Sequence, residues 1–358
     1  MEFIKPCKLG HPKEDFDNMN KITQYKMKNY RKRGNKMKSK LLRLYIYASL
    51  FVTAGPMTAW TTNASAGPID EKPFLGRWDI DVLKSDTGYL NRAYFCWLEL
   101  KLENGILKGR LQPGAGETVD ITDIKVENGE LSFKEGKSIW KATSKEKRLE
   151  GTVYSPMFGK TTRSWIGVEA PAWPSKLPNR KPGKPVNLIG NDVSNWRVQN
   201  PGMPIGWSVK DGVLMNQSKQ ANNIYTNQKF QDFRLEAELK IDPKSNSGIY
   251  LRGRYEIQIM DGFGATSLNI HSMGCLYGYI VPSVNACKIA SEWQTYEITL
   301  IANRVSVILN GIKIIDNGEV PGITGGALDA NEKESGPIMI QGDHGTVQFR
   351  KLILTPLI

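Results

Sequence analysis

The sequence predicts an all-β protein: a small antiparallel barrel or sandwich, followed by a sandwich of two antiparallel sheets. Three observations predict this class. The 358 residues include 34 glycines, 19 prolines and nine tryptophans, a composition that favours short strands and turns over long helices. Apolar and polar residues alternate in short runs separated by turn residues, which is typical of half-buried strands. Windows of helical length with amphipathic spacing are almost absent.

The first 66 residues predict a leader with a signal peptide. Lys36 to Arg43 is a basic run, Leu44–Ala54 is apolar, and Ala64-Ser65-Ala66 has the small-residue pattern of a cleavage site. A membrane anchor is the alternative, but the apolar run is shorter than the roughly 20 residues that span a bilayer. We therefore expect cleavage after Ala66 and a periplasmic or secreted protein with no membrane contact.

The positive charge of the chain belongs mostly to this leader. Residues 1–66 hold 13 Lys/Arg and 4 Asp/Glu, a surplus of +9, so only +3 of the total +12 remains for the other 292 residues. A nucleic-acid partner is therefore not expected. Three histidines and four cysteines are also too few for zinc-finger or iron–sulfur arrays. Of the cysteines beyond the leader, Cys275 and Cys287 are the one local disulfide candidate, and buried thiols are the expected state.

Residues 67–170 predict the small N-terminal β domain. Short alternating runs follow one another, separated by Asn-Gly and other glycine turns: FCWLELKL, ILKGRLQ, ELSFKE and RLEGTVY. No catalytic constellation is present in this domain. Residues 171–185 predict an extended linker, because prolines recur there without apolar periodicity.

Residues 186–358 predict the sandwich. The segment Asn310-Gly311 lies between two strand-like runs and indicates a tight hairpin. A sandwich of two antiparallel sheets is expected to leave one curved face free for a ligand.

Five segments of this domain carry a family resemblance. They are NSGIYLRGRYEIQIMD, MGCLYGYIVPSVNA, EWQTYEITL, LNGIKIIDN and GPIMIQGDHGTVQFRKLILTPL. In this order they resemble the 3-keto-disaccharide hydrolase domain family. The resemblance implies a concanavalin-like jelly roll and action on glycosides whose sugar is oxidised to a ketone at carbon 3. It also implies substrate-binding roles for Tyr277 and Asn285, in a loop where a cleft wall is expected.

The alternation of these strands predicts a polar sheet face. Glu238, Arg252, Glu256 and Gln258 are expected to oppose the apolar side of one sheet. Such side chains can hold sugar hydroxyls and polarise a carbonyl. The alternative is a set of cross-strand ion pairs on a solvated face.

A glycine-flanked turn supplies the second group of candidates. His344 lies in QGDHG, beside Gln341 and Asp343. Glycines on both sides let the backbone hold a side chain at the rim of a sheet. An imidazole there is a plausible acid or base near neutral pH, and Gln341 and Asp343 are candidate binding residues.

These residues predict a route through the keto sugar. A ketone at carbon 3 acidifies the carbon-2 proton, so one base can start elimination while a cation stabilises the enolate. Glu256 or His344 is the candidate base, and Arg252 is the candidate cation. A divalent metal is possible, with Glu256, Asp261 and His344 as candidate ligands.

Two other functions remain open at this stage. Glu256, Gln258 and Asp261 have the spacing of the carboxylates of retaining β-glucanases. Here the middle residue is an amide, and Asp261 reaches the face of Glu256 only through a bulge. The other possibility is a non-catalytic, lectin-like carbohydrate-binding module, because a fold does not fix a function.

Overall fold

A computed structural model of the chain describes residues 71–84, 93–156, 161–216, 218 and 220–358. The chain separates into two compact units, 1–65 and 66–358, and every described residue belongs to the second. The predicted leader, its signal peptide and the cleavage after Ala66 lie outside the described residues. Within the described residues the fold is all-β, as predicted, with one 3₁₀ turn at Lys72–Phe74 and no α-helix. No helix in this part of the chain is long and apolar enough to span a bilayer.

The first strands form one antiparallel sheet, which we call the N-terminal barrel. Its strands are β1 (Gly76–Val82), β2 (Tyr94–Glu103), β3 (Ile106–Gln112), β4 (Val119–Asp120), β5 (Thr122–Glu127), β6 (Glu130–Glu135), β7 (Ser138–Lys145), β8 (Arg148–Ser155) and β9 (Thr161–Glu169). Their order is β4-β3-β2-β1-β9-β8-β7-β6-β5. The sheet curls almost closed, since the Ile121 N–H donates to the Gly109 carbonyl at 3.1 Å near the meeting edges. Its inward alternate residues, including Trp78, Trp140 and Trp165, form a core of their own.

The remaining strands form what we call the C-terminal sandwich. They are β10 (Val186–Asn187), β11 (Trp196–Val198), β12 (Trp207–Lys210), β13 (Val213–Asn216), β14 (Ile224–Thr226), β15 (Phe233–Ile241), β16 (Asn246–Leu251), β17 (Tyr255–Met260), β18 (Gln294–Ile301), β19 (Arg304–Leu309), β20 (Ile312–Glu319), β21 (Met339–Ile340) and β22 (Val347–Pro356). The larger sheet runs β12-β13-β22-β15-β18-β19-β20, with β10 beside β22, and the smaller runs β11-β14-β21-β16-β17.

The two sheets of the sandwich share one hydrophobic core. Leu235 and Ile298 come from the larger sheet, Ile249 and Ile257 from the smaller, and all four are fully buried. The predicted Asn310-Gly311 hairpin is present between β19 and β20. Both turn residues have positive φ, 52° and 81°, as the type I′ turn that suits twisted strands requires.

The proline-rich segment predicted as a linker is fixed to the end of the chain. The Lys181 N–H donates to the Ile358 carbonyl at 2.8 Å, and the Gly183 N–H donates to the Pro356 carbonyl at 2.7 Å. The segment is therefore bonded to the end of the chain rather than solvated along its length.

A tryptophan of the barrel lies in the core of the sandwich. Trp97 belongs to β2, yet its fully buried side chain packs with the sandwich core. Its indole N–H lies 3.0 Å from the Tyr279 hydroxyl and 3.2 Å from the Ile323 carbonyl. The two parts of the described unit are thus joined by shared apolar packing.

The three described cysteines are free thiols. Cys96 and Cys275 are buried, and Cys287 is half-buried. The state expected from the sequence is therefore the one observed, and the Cys275–Cys287 bridge is not formed.

Candidate active site

The β16–β17 hairpin places the central carboxylate. Its register pairs Tyr250 with Glu256 and Gly248 with Gln258. The turn between the strands has positive φ at Arg252 (54°) and Gly253 (69°), a conformation that favours glycine and makes a tight reversal. Because paired residues point to the same side of a sheet, Gly248, Tyr250, Glu256 and Gln258 share one face.

Glu256 is held in a nearly dry environment. Its side chain is 4% exposed, and the Tyr250 hydroxyl lies 2.8 Å from Oε2. The carboxylate lies over Gly248, where an added Cβ would clash with Oε1, so only glycine allows this approach. Burial raises the pKa of Glu256 to about 8, against the lowering effects of the Tyr250 hydrogen bond and of the His344 charge. A carboxyl group with such a pKa is a strong base when ionised.

The Tyr250 hydroxyl is shared between two acceptors. It lies 2.8 Å from Glu256 Oε2 and 3.0 Å from the Gly325 carbonyl oxygen. One hydroxyl proton can satisfy only one of them. When Glu256 is protonated, its own proton can be donated to the tyrosine oxygen while the hydroxyl donates to Gly325. Both protonation states of Glu256 are therefore accommodated without moving the side chains.

The QGDHG turn reaches the same face through β21. Ile340 pairs with Ile249 of β16, and the Gln341 N–H donates to the Gly248 carbonyl at 3.0 Å. The Ser247 hydroxyl donates to the Gln341 carbonyl at 2.7 Å. The turn that carries His344 consequently starts beside Gly248, which lies next to the Glu256 carboxylate.

Asp343 and His344 form an acid–imidazole pair at the rim. Asp343 Oδ1 lies 2.7 Å from His344 Nδ1. This hydrogen bond raises the pKa of His344 while partial burial opposes it, and the charges of Asp343 and Glu256 raise it further. Burial acts to raise the pKa of Asp343, but the hydrogen bond and charge of His344 hold it below its usual value. The Asp343–His344 pair therefore favours the imidazolium form of His344. Its Nδ1 is bonded to Asp343, so its Nε2 can donate a hydrogen bond to a ligand.

Tyr277 borders the other side of Glu256. Its backbone N–H donates to the Glu256 carbonyl at 3.0 Å, and its ring centroid lies 5.0 Å from that of His271. Burial raises the pKa of the Tyr277 phenol, and the charges of Glu256 and Glu117 raise it further. Tyr277 thus lies near two carboxylates on different parts of the chain.

Arg252 does not join this group, contrary to the shared face predicted from the sequence. It lies in the turn beyond β16, and its guanidinium is fully buried. Nη2 donates to Asp232 Oδ1 at 2.9 Å, and Nε donates to the Gln231 carbonyl at 2.6 Å. The positive φ at Arg252 ends the strand alternation, so counting along the strand fails at this residue.

Glu238 is also placed elsewhere, and the prediction that it shares a sheet with Glu256 is wrong. It lies on β15 of the larger sheet, where Arg350 Nε donates to Glu238 Oε2 at 2.6 Å on the outer face. This is the cross-strand ion pair that was the alternative. Asn285 holds a loop: its side-chain amide donates to the Gly262 and Ala265 carbonyls at 2.9 and 3.0 Å.

The candidate metal ligands do not converge. Asp261 accepts the Lys244 backbone N–H at 3.0 Å, at the far end of β17 from Glu256. Among the described residues, no group of three or more His, Cys, Asp and Glu side chains could hold a metal ion. The residues present do not fit the possible divalent metal, and the retaining-glucanase pattern also lacks its second carboxylate at Asp261.

Two further predicted residues stay with the site. Gln258 is 4% exposed, on the face of Glu256. Gln341 Oε1 is a buried acceptor without a hydrogen-bond partner in the described part of the chain, so a ligand hydroxyl could satisfy it. Gly248, Tyr250 and His271 are not among the site residues predicted from the sequence. A hairpin turn at Arg252-Gly253 would have paired Tyr250 with Glu256, so recognising that turn in the sequence could have identified Tyr250.

Comparison with known proteins agrees with the predicted resemblance. Residues 184–355 match the family model of the 3-keto-alpha-glucoside-1,2-lyase-like domain, which confirms the resemblance for the C-terminal sandwich. This match supports a carbohydrate-active, glycosyl hydrolase-like protein. A search of the curated proteins finds no match.

Several solved structures are similar to about half of the chain. One candidate glycosyl hydrolase from Parabacteroides distasonis shares 26% identity over 52% of this chain and 94% of its own, with a TM-score of 0.41. A second from the same organism shares 21% identity over 49% and 94%, with a TM-score of 0.40. LamA from Z. galactanivorans, in complex with laminaritriose and laminaritetraose, shares 9% identity over 49% and 98%, with a TM-score of 0.34.

Proposed function

We propose that the C-terminal sandwich cleaves 3-keto-glycosides, starting with removal of the carbon-2 proton by Glu256. The observation that carries the proposal is the buried Glu256 carboxyl, 4% exposed and 2.8 Å from the Tyr250 hydroxyl, near the Asp343–His344 pair. Burial raises the pKa of Glu256 to about 8, and the Asp343 hydrogen bond raises the pKa of His344. A base works best when its pKa is near the working pH. The family match over residues 184–355 supports the keto sugar as substrate.

The proposed reaction needs one base and one cationic donor. Glu256 takes the carbon-2 proton, and the electron pair passes onto the carbon-3 oxygen as an enolate. His344, as the imidazolium paired with Asp343 at 2.7 Å, stabilises the developing negative charge. The enolate then re-forms the ketone as the carbon-1 to oxygen bond breaks, and a double bond forms between carbons 1 and 2. The leaving oxygen receives the proton that Glu256 took from carbon 2, which returns Glu256 to its ionised form, and water can add afterwards at carbon 1.

Polar groups around Glu256 would hold the sugar. Gln258 lies on the same face, and the unpaired Gln341 Oε1 is an acceptor for a hydroxyl. Arg252 is not part of the proposal, because its guanidinium is committed to Asp232 and Gln231. The basic run and the apolar segment of the leader support export, so we place this reaction in the periplasm or outside the cell.

The test compares two substrates and two proteins. Wild type and Glu256→Gln are incubated with a 3-keto-disaccharide and with its unoxidised parent, and product is followed by chromatography. We expect cleavage of the keto substrate alone, and a loss of kcat of about 10²–10⁴-fold in the variant, the range that general-base catalysis supplies. Cleavage of the parent sugar alone would contradict the proposal and favour an ordinary glycosidase. Saturable binding without turnover would favour a lectin-like module.

We expect Glu256→Gln to fold, so a loss of its activity can be assigned to the missing carboxylate. Burial raises the pKa of Glu256 from 4.5 to about 8, so the folded state favours the protonated form. The stability that this preference contributes is present below about pH 4.5 and is lost as the pH rises through about 8. A neutral glutamine avoids that loss, so the thermal midpoint at pH 8 should not fall below that of the wild type.

A further inference from the structure

One loop of the N-terminal barrel has a fixed conformation close to the Glu256 site. Residues 113–118, between β3 and β4, are held in place by the buried Gln112 side chain. Its amide donates to the Pro113 and Gly116 carbonyls, both at 2.9 Å, and its Oε1 accepts the Thr118 hydroxyl at 3.0 Å. We call this segment the 113–118 loop. It is a pre-formed element, because each end is tied to one buried amide.

The 113–118 loop is packed against the sandwich beside the site. The Gly326 N–H donates to the Gly114 carbonyl at 3.0 Å. An added Cβ on Gly325 would lie 2.7 Å from the Gly116 carbonyl oxygen, so this approach requires glycine. Gly325 is also the residue whose carbonyl lies 3.0 Å from the Tyr250 hydroxyl. The loop therefore rests directly behind the hydroxyl that contacts Glu256.

Glu117 extends the contact between the 113–118 loop and the sandwich to Gly278 and His271. An added Cβ on Gly278, next to Tyr277, would stand 3.5 Å from the Glu117 Cβ. Glu117 Oε2 lies 3.7 Å from His271 Nε2, and both side chains are about half exposed. This separation is longer than a hydrogen bond. Each atom therefore keeps its capacity to bond a third group.

Tyr277 and His271 add an aromatic surface between the two carboxylates. Their ring centroids are 5.0 Å apart with a 42° tilt. The Tyr277 phenol is influenced by Glu256 on one side and by Glu117 on the other. A sugar ring has apolar C–H faces that pack on aromatic rings and hydroxyls that bind carboxylates and imidazoles.

We propose that the N-terminal barrel completes the substrate cleft: Glu117 of the 113–118 loop, with His271 and Tyr277, forms a subsite for a second sugar on the leaving-group side. This inference rests on the proposed function. The keto ring must lie over Glu256 for its carbon-2 proton to be removed. A group attached at carbon 1 can then extend past Tyr277 to Glu117, where a hydroxyl can bridge the carboxylate and the imidazole. In this arrangement Glu117 binds and positions substrate and takes no proton in the reaction.

The test measures preference for a second sugar. Wild type, Glu117→Gln and His271→Gln are assayed with a 3-keto-disaccharide and with the methyl glycoside of the same keto sugar. We expect the ratio of kcat/KM for the disaccharide to that for the methyl glycoside to fall about tenfold in both variants, mostly through KM, as for loss of a hydrogen bond to a charged group. Glu150→Gln is the matched control, because Glu150 is an exposed carboxylate on β8 of the same barrel. Its ratio should equal that of the wild type.

A binding measurement separates this inference from the proposed function. Titration calorimetry of the keto-disaccharide is performed on Glu256→Gln alone and combined with Glu117→Gln. Weaker binding in the double variant supports the subsite, even if the wild type cleaves neither substrate and the proposed function fails. Equal affinities in the two proteins, or a wild-type substrate ratio in both Glu117→Gln and His271→Gln, would overturn the subsite.

Discussion

At the scale of single residues, the site depends on a carboxyl that is kept from water. Glu256 is 4% exposed, and its strongest described contact is the Tyr250 hydroxyl at 2.8 Å. Burial disfavours the ionised carboxylate, while the phenol hydrogen bond favours it. The balance leaves a pKa of about 8, which is a useful value for a base that must take a proton from carbon.

This balance predicts the pH dependence of the reaction. Because the reaction also needs the His344 imidazolium, kcat/KM has a falling limb where His344 loses its proton. If ionised Glu256 is the base, the rising limb gains about tenfold per pH unit below the Glu256 pKa of about 8. Tyr250→Phe removes the hydrogen bond that lowers the pKa of Glu256, so the midpoint of this limb should move to higher pH. Tyr154→Phe, on β8 of the barrel, is the control and should leave the midpoint in place. A kcat/KM that does not rise with pH through this range would contradict ionised Glu256 as the base.

At the scale of elements, the β16–β17 turn contains a buried cation with a structural task. Arg252 Nη2 lies 2.9 Å from Asp232, which is 3% exposed and also accepts from Arg180 and from the Ala302 N–H. Removing one partner of a buried pair leaves a charge without full compensation. The arginine therefore connects the turn to the start of β15 in the opposite sheet.

We expect Arg252→Met to lower the free energy of unfolding by about 3 kcal/mol, the low end for breaking a buried ion pair because Arg180 remains. The folded fraction should keep the substrate preference and pH profile of the wild type. Arg234→Met is the matched control, since its ion pair with Glu236 is on the exposed face of β15, and its cost should stay below about 1 kcal/mol. Urea unfolding measures both. A changed pH profile without loss of stability would instead show that Arg252 acts in the reaction.

The same elements show what the sequence could predict. The strand periods, the Asn310-Gly311 turn and the polar face of Glu256 and Gln258 follow from local alternation, and the structure has them. Glu238 has the same alternation on β15, but the sheet to which a strand belongs depends on pairings between residues far apart in the chain. Positive φ at Arg252 likewise breaks the alternation. Contacts between barrel and sandwich, such as Glu117 with His271, have no local pattern that predicts them.

At the scale of the whole described unit, barrel and sandwich share buried side chains. Trp97 of β2 packs in the sandwich core, and the Arg77 guanidinium of β1 pairs with Glu332, which is 1% exposed. The Tyr255 hydroxyl donates to the same carboxylate at 2.9 Å. Shared burial of this kind makes the two parts unfold together.

We expect residues 67–358 of the wild type to unfold in one transition by both tryptophan fluorescence and far-ultraviolet circular dichroism. Trp97→Ala should cost about 3–5 kcal/mol, as for other large aromatic truncations, and should separate the transition into two. Trp140→Ala removes an equally buried indole from the barrel core alone and should lower stability with one transition retained. A single transition in Trp97→Ala would show that the junction depends on other contacts.

The absence of sulfur cross-links in the described residues has a practical consequence. Cys96, Cys275 and Cys287 are all free thiols, so noncovalent contacts stabilise both cores. Folding of this part of the chain therefore forms no disulfide. We therefore expect the same yield of folded protein with and without reductant in the buffer, measured after expression in a reducing cytoplasm.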